Sequence, residues 1–429
     1  MNYSLMLISL TFLFTSSFDA AVDAYESNKQ KIALSTTLDL ISNDKNNDQY
    51  YELIAKIYYS IGDLDNSNIN IVKAIEIKND NESYRKFQRK LEELKNNIKS
   101  TQKTFNAGYI DDAILEYETL IKDSSDFPLL YYNLGLIYLK SSNYSNAVIY
   151  LNKAIDIDPY NEEKYKKEII NISKRLAKLG KEKYRIKEYD DALELYLEAI
   201  DYYPEFISLL FRITLAYNKI NDYENAKKFA EQILFYDNTH YQTMKILGDL
   251  HYKLGDIDVS LNFYNRSLVI NPEYYQSYYS LAKVLNAEGE YDKAIDNLNQ
   301  TIDINPNYDK AYILLGVIYS DNSNYKKAID NFNKAIAIDS NNYTYYWRLA
   351  ETYNRFEQYS KSKEAAKQSL KIKKNYANAF FELGYAELFM CNKVAAEDAF
   401  QKAKKDKTYR KSAKHYLDNI NQIFSQNCK

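Results

Sequence analysis

The sequence predicts an all-α solenoid, a stack of about eleven helix pairs closed by a C-terminal capping helix. Proline, which punctuates helices, falls at Pro159, Pro204, Pro272 and Pro306; the last two intervals, 68 and 34 residues, are a period of 34 and its double. Units of 34 set in that frame tile residues 173–410 without a gap, from starts at Ser173, Ile207, Tyr241, Tyr275, Asp309, Tyr343 and Ala377. The composition suits helices that run with few interruptions: 46% hydrophobic, with only 9 Gly and 5 Pro in 429 residues.

Upstream, the same pattern fits 128–161, 94–127, 48–81 and, weakly, 14–47. The fourth place of a unit is usually aromatic (Tyr131, Tyr278, Tyr312, Tyr346) and the eighth small (Ala55, Gly135, Gly180, Gly248, Gly316, Gly384). The twentieth is mostly Ala (Ala147, Ala226, Ala328) and the twenty-fourth large (Tyr196, Tyr264, Phe332, Phe400). Places four, seven, eight and eleven share one face of a first helix; twenty, twenty-four and twenty-seven share one face of a second. Small residues at eight and twenty let the two backbones approach, and the large residues fill the space beside them. Asn or Asp before Tyr, as in Asn143-Tyr144, Asp222-Tyr223 and Asn324-Tyr325, supplies the turn into the second helix.

A period of 34 with an aromatic, Leu-Gly, Tyr, Ala, aromatic, Ala and Pro at these places resembles the tetratricopeptide-repeat (TPR) family over roughly residues 14–410. The resemblance implies antiparallel helix pairs wound into a right-handed superhelix, with a concave groove lined by the first helices. The match departs at Lys183 and Glu387 in the eleventh place, at Ser260 and Ser362 in the twentieth, and in unit 94–127, which matches the small-residue places poorly.

The period slips twice, by twelve residues at 82–93 and by eleven at 162–172. Tyr84, Phe87, Leu91, Leu94, Ile98 and Phe105 form an apolar stripe at helical spacing, and Tyr165, Ile169, Ile172, Leu176 and Leu179 form a second. Eleven residues are about three turns, roughly 16 Å of helix, so the insertions extend the first helices near 82–107 and 162–186 and keep their faces in phase. Each stripe either packs on the preceding unit or offers a pairing face for a partner or a second copy. The expected organisation is a leader over 1–17, N-terminal units over 18–161, an array over 162–410 and a cap over 411–429.

The first eighteen residues carry no side-chain charge and hold an apolar run from Leu5 to Phe14, followed by Ser16, Ser17, Ala20 and Ala21. This reads as a signal peptide and favours export to the periplasm or beyond; the alternative is an apolar first helix of a cytoplasmic array. No apolar stretch further along is long enough to span a membrane. Cys391 and Cys428 have no metal-ligand spacing, and whether they are unrelated thiols or a bridge tying down the C-terminal helix is open.

Charge and motifs exclude several functions. Lys and Arg number 56 against 59 Asp and Glu, interspersed, so nucleic acid is not an expected partner. No phosphate loop, nucleophile elbow or metal-binding spacing is present, and the three histidines lack catalytic company. Neither an enzyme nor a cofactor is expected.

The family resemblance implies a groove formed by the second, fifth, sixth, ninth, twelfth and thirteenth places of the first helices. Here these places hold Phe211, Lys245, Tyr252, Tyr279, Lys283, Trp347, Glu351, Arg355, Phe381 and Tyr385, with Asn286 and Asn354 among amides at the twelfth place. The expected function is a scaffold that binds extended or helical segments of partner proteins, with Trp347 as an anchor. Alternatives are an exported component organising a secretion or surface assembly, and the substrate-binding arm of a separately encoded enzyme. Lys245 followed by Asp249, and Leu314 near Lys310, do not match the pattern of TPR domains that clamp chaperone tails.

Overall fold

The computed structural model describes residues 17–428, and the expected leader lies outside them except for Ser17, whose hydroxyl caps the first helix by accepting from the Ala20 N–H. Among the described residues every regular element is helical. They form two compact blocks, 17–209 and 210–428.

The first block holds α1 (Phe18–Glu26), α2 (Gln30–Asn43), α3 (Asp48–Ser60), α4 (Leu64–Ile77), α5 (Glu82–Asn106), α6 (Ile110–Asp123), α7 (Pro128–Lys140), α8 (Tyr144–Ile157), α9 (Glu162–Arg185) and α10 (Tyr189–Tyr202). α11 (Ile207–Lys219) carries the boundary in its first turn. The second block continues with α12 (Tyr223–Tyr236), α13 (Tyr241–Leu254), α14 (Ile257–Ile270), α15 (Tyr275–Ala287), α16 (Tyr291–Ile304), α17 (Asp309–Asp321), α18 (Tyr325–Ile338), α19 (Tyr343–Arg355), α20 (Tyr359–Ile372), α21 (Ala377–Phe389), α22 (Lys393–Ala403), α23 (Arg410–Asp418) and α24 (Ile420–Asn427). Within each block odd helices pair with the even helices that follow them, from α1 with α2 to α9 with α10 and from α13 with α14 to α21 with α22, one pair to a 34-residue unit.

Side-chain size sets the seam within a pair. A Cβ added at Gly180, Gly248, Gly316 or Gly384 would run into the ring of Tyr196, Tyr264, Phe332 or Phe400, sixteen residues on. Where the eighth residue is Ala, the facing twenty-fourth is smaller: Ile71 opposite Ala55, Leu298 opposite Ala282, Ala366 opposite Ala350. Two of the serines that break the Ala rule are accommodated by hydrogen bonds across the seam, Ser67 Oγ donating to the Ala55 carbonyl (2.7 Å) and Ser362 Oγ to the Ala350 carbonyl (2.9 Å), whereas the buried Ser260 hydroxyl finds no such partner. Thr101, the large eighth residue of unit 94–127, satisfies its hydroxyl on the Asn97 carbonyl of its own helix. Charges at the eleventh place are also paired: Lys183 with Glu188 and Asp191, and Glu387 with Lys363 and Asn392.

Every first helix stops the same way. The fifteenth residue of each unit takes left-handed backbone, from Asn28 at φ 55° to Gly108 and Gly255 at 92°, and includes Lys187, Glu357 and Cys391. Such a conformation costs a non-glycine residue on the order of 1 kcal/mol, which the packing of the pair outweighs. Two residues later the second helix begins, opened by Asp63, Asn143, Asp222 or Asn324, whose side chains accept from backbone N–H groups of its first turn.

Both elongated helices turn their stripes inward. On α5, 25 residues long, Tyr84, Leu91, Leu94 and Ile98 are buried in a core shared with α3, α4, α6 and α7, and the Tyr84 hydroxyl donates to Asp48 (2.7 Å). On α9, Tyr165, Ile169, Ile172 and Leu176 are buried, and the Tyr165 hydroxyl donates to Asp158 (2.7 Å). Much of each face expected to serve self-association through 82–107 or 162–186 is thus filled by the chain itself, whereas Leu179 of the second stripe is left 43% exposed. A 3-10 turn at Pro159–Asn161 brings Asn161 Nδ2 within 3.1 Å of the Ile61 carbonyl, a contact across 100 residues.

The cap is two helices rather than the single one expected, because the chain breaks at Asn419, whose side chain bonds back to the His415 carbonyl. Tyr416 stacks on Phe400 (5.1 Å), and Ala413 and Ile420 are buried. A disulfide joins Cys391 to Cys428 with the Cα atoms 5.5 Å apart, so the two are not unrelated thiols. Close by, Glu382 of α21 is 7% exposed and accepts from Asn354 Nδ2 (2.8 Å). Burial pushes its carboxyl up to about 7, aided by the negative charge of Glu351 and opposed by the Asn354 amide and the guanidiniums of Arg355 and Arg348.

Two predictions follow from this packing. Gly316→Ala forces its methyl into the Phe332 ring and is expected to destabilise by about 1–3 kcal/mol; adding Phe332→Leu, which reproduces the Ala282/Leu298 pairing, should recover much of that loss in chemical denaturation. If the double variant is no better than the single, the seam assignment is wrong. Glu382 retains a proton in the folded state that the unfolded chain releases near the ordinary value of 4.5. Its contribution is therefore complete below about pH 4.5, fades as pH rises, and is lost above about 7, a difference on the order of 3 kcal/mol. Glu382→Gln should remove this fall, so the variant gains on the wild type between pH 5 and 8; parallel stability curves would refute the assignment.

Candidate functional site

The twelve groove residues named above all lie in the second block, and the structure sorts them into groups. Lys245 and Tyr252 from α13, with Tyr279 and Lys283 from α15, converge on one cavity of about 320 Å³. Lys245 is held by Asp249 (2.6 Å), which also accepts from the Tyr264 hydroxyl (2.8 Å). Lys253, also at the rim, donates to Asn218 (2.7 Å) and lies 4.5 Å from the Tyr223 ring centre. Lys283 is exposed and makes no ion pair among the described residues. Tyr279 stands perpendicular to Tyr308, centroids 5.0 Å apart, and burial pushes its phenol up. Gln276 Oε1, on the cavity wall, is buried and has no donor.

Trp347, Glu351, Asn354 and Arg355 form a second group along α19, on the face that residues three, four and seven apart share. Arg348 lies 4.2 Å from the Trp347 ring centre and donates to Glu351 (2.8 Å); Arg355 bonds Asp321 (2.9 Å) and Glu351 (3.4 Å). The charges here are largely spent on each other. Trp347 is half-buried, edge-on to Tyr376 (5.8 Å), so much of its ring serves the stack. Asn354 is buried and clamps α21 through the Glu382 carbonyl and carboxylate, so its amide is not open to a partner. Asn218 is likewise engaged by Lys253.

Phe381 and Tyr385 lie within the C-terminal core, with Tyr416 5.7 and 5.6 Å away and Tyr409 5.2 Å from Phe381. Burial pushes Tyr385 and Tyr409 up to about 12. Phe211 packs on His240 (5.6 Å), and Asn286 lies one turn past Lys283, outside the cavity lining.

Gln276, at the second place of its unit, and Tyr308, at the thirty-fourth, were not singled out from the sequence. The register could have supplied the first, because the second place is a groove place. A separate cavity of about 770 Å³ in the first block, lined by residues including Leu34, Tyr58, Lys95, Lys99, Tyr160 and Lys164, had no sequence signal, because it depends on the contact across 100 residues.

Family models described as "Tetratricopeptide repeat" match residues 48–81, 128–161, 273–341 and 343–376. Among curated proteins, the Intraflagellar transport protein 88 homolog of Homo sapiens is 28% identical over 138 residues, covering 32% of this chain and 16% of that protein; the chain thus spans a small part of that relative's length. Among solved structures, that of MamA is 25% identical over 38% of this chain and 94% of its own, with a TM-score of 0.35. A tetratricopeptide repeat protein from Parabacteroides merdae is 18% identical over 58% and 98%, with a TM-score of 0.45. Three of the family matches begin where the register places a unit, at residues 48, 128 and 343, and each falls on one helix pair. The chain belongs to the tetratricopeptide-repeat family.

Proposed function

We propose that the chain is a non-catalytic scaffold whose second block holds an extended segment of a partner protein against α13 and α15. Tetratricopeptide-repeat proteins mediate protein–protein interaction, and the observation that supports this place on the chain is the 320 Å³ cavity. It gathers four groove residues around an unpaired ammonium and a buried carbonyl oxygen that lacks a donor. A buried acceptor without a partner costs about 1–3 kcal/mol, and a ligand that supplies a donor recovers it. Concave sites of this size, mostly aromatic with a few polar groups, are where small parts of ligands are held.

Export is a second reading, which the Cys391–Cys428 disulfide favours because such bonds persist in oxidising compartments. On that reading the scaffold serves an assembly outside the cytoplasm. The bridge closes a separation of 37 residues and contributes on the order of 3–4 kcal/mol to holding α23 and α24 in place.

Two experiments test these readings. A peptide array tiling the proteome of the native cell should yield segments that bind the wild-type protein and lose at least tenfold in affinity with Lys283→Glu, while the melting temperature stays within a few degrees. Segments indifferent to Lys283→Glu would move the site elsewhere, and an array without binders would remove the groove reading. Chain recovered from its own cell should show a shortened N-terminus and resist thiol labelling at Cys391 and Cys428 until reduced. Intact Met1 with both thiols labelled would end the export reading.

A further inference from the structure

Four of the six first helices of the second block carry an aromatic ring at the fifth place, and a fifth carries an aliphatic residue. At the fifth place stand Phe211, Tyr279, Trp347 and Phe381, with Ile313 in the unit at 309, and the rings pack on His240, Tyr308, Tyr376 and Tyr409. In the unit at 241 the place holds Lys245, and its ammonium is drawn aside to Asp249. Tyr274, at the end of that unit, packs on Tyr241 (4.9 Å), whereas Tyr308 and Tyr376 each face two rings. The cavity opens beside Lys245, where the neighbouring units carry a ring.

Its walls are suited to a ring from outside. Tyr252, Tyr279 and Tyr308 offer aromatic faces and edges, and about 320 Å³ accommodates one aromatic side chain with a short neighbour. The one carboxylate in the lining, Asp249, is spent on Lys245 and Tyr264, whereas Lys283 has no acid partner and Lys253 only an amide. The rim is therefore cationic, and an anionic group is the complementary one. Gln276 Oε1 requires a donor, which phenylalanine, leucine or a carboxylate cannot supply and a phenol or indole can.

We propose that the cavity between α13 and α15 takes a tyrosine or tryptophan side chain of an acidic partner segment. The ring enters beside Lys245, its O–H or N–H donates to Gln276 Oε1, and an adjacent Asp or Glu of the segment meets Lys283. This rests on the reading that the groove binds partner segments and names the chemistry of what it binds.

The test uses the full chain and a fluorescein-labelled peptide, a tyrosine flanked on each side by three alternating Asp and Glu residues, with affinity read by fluorescence anisotropy. Binding that weakens steeply with salt is expected, as is a loss of at least tenfold when the peptide tyrosine becomes alanine, when its acids become lysines, and with Lys283→Glu. Lys245→Phe restores the ring that the neighbouring units carry, and should abolish binding while leaving thermal stability equal or higher. Equal affinity for the alanine peptide, or unchanged binding by the Lys245→Phe protein, would overturn the inference while leaving a groove site in place. Failure of every peptide to bind the wild type would overturn it too, and the proteome array separates that outcome from failure of the groove reading itself.

Discussion

The close approach of the two helices in each pair is the constraint from which the remainder of this structure follows. Where a glycine faces a tyrosine or phenylalanine sixteen residues on, the ring lies against bare backbone, and no larger residue fits without displacing it. Fixing that distance fixes the tilt of one helix on the other, and so the direction in which the next pair must stack. The left-handed residue at each fifteenth place serves the same end. The chain tolerates backbone strain at Lys187, Glu357 and Cys391 because a tight reversal is required for the second helix to meet the first in register.

Tyrosine carries the connections between pairs. With 45 of them against one tryptophan, the chain uses a side chain that buries a ring and still places a hydroxyl on an acid. Tyr84 reaches Asp48, Tyr345 reaches Asp309, and Tyr59 reaches Asp126, each across more than one helix. Burial pushes all three phenols up, so they remain donors throughout the physiological range. The residues that the family pattern assigns to the groove partly belong to this stacking system. That is why Trp347 and Phe381 are only partly exposed, their rings packed on Tyr376 and on Tyr409 and Tyr416.

The fold was legible because the period repeats, so chance matches at one unit are checked by ten others. Gly316 and Phe332 could be paired from spacing alone, since helical periodicity places both on facing surfaces. What the spacing did not carry was how a side chain would be used once in place. Asn286 and Asn354 hold the same place in their units, yet Asn354 is drawn into the seam because Glu382 stands opposite, and the acid lies 28 residues away. The break of the cap at Asn419 escaped for a related reason: its apolar pattern satisfies one helix or two, and the choice rests on contacts with α21 and α22. The cavity beside Lys245 was half legible, as the residues were named but the missing ring became visible only against the ring pairs of the neighbouring units.

The bond between Asn161 and the Ile61 carbonyl has a kinetic side. In the second block the side-chain hydrogen bonds join residues no more than about one unit apart, so order can spread from any pair to the next and ends can fray one pair at a time. In the first block, Tyr59 with Asp126 and Asn161 with Ile61 close loops of 67 and 100 residues, and those loops must be shut before the contacts are gained. Folding of residues 17–209 is consequently the slower and more cooperative event, and the second block can assemble by local steps before it is complete.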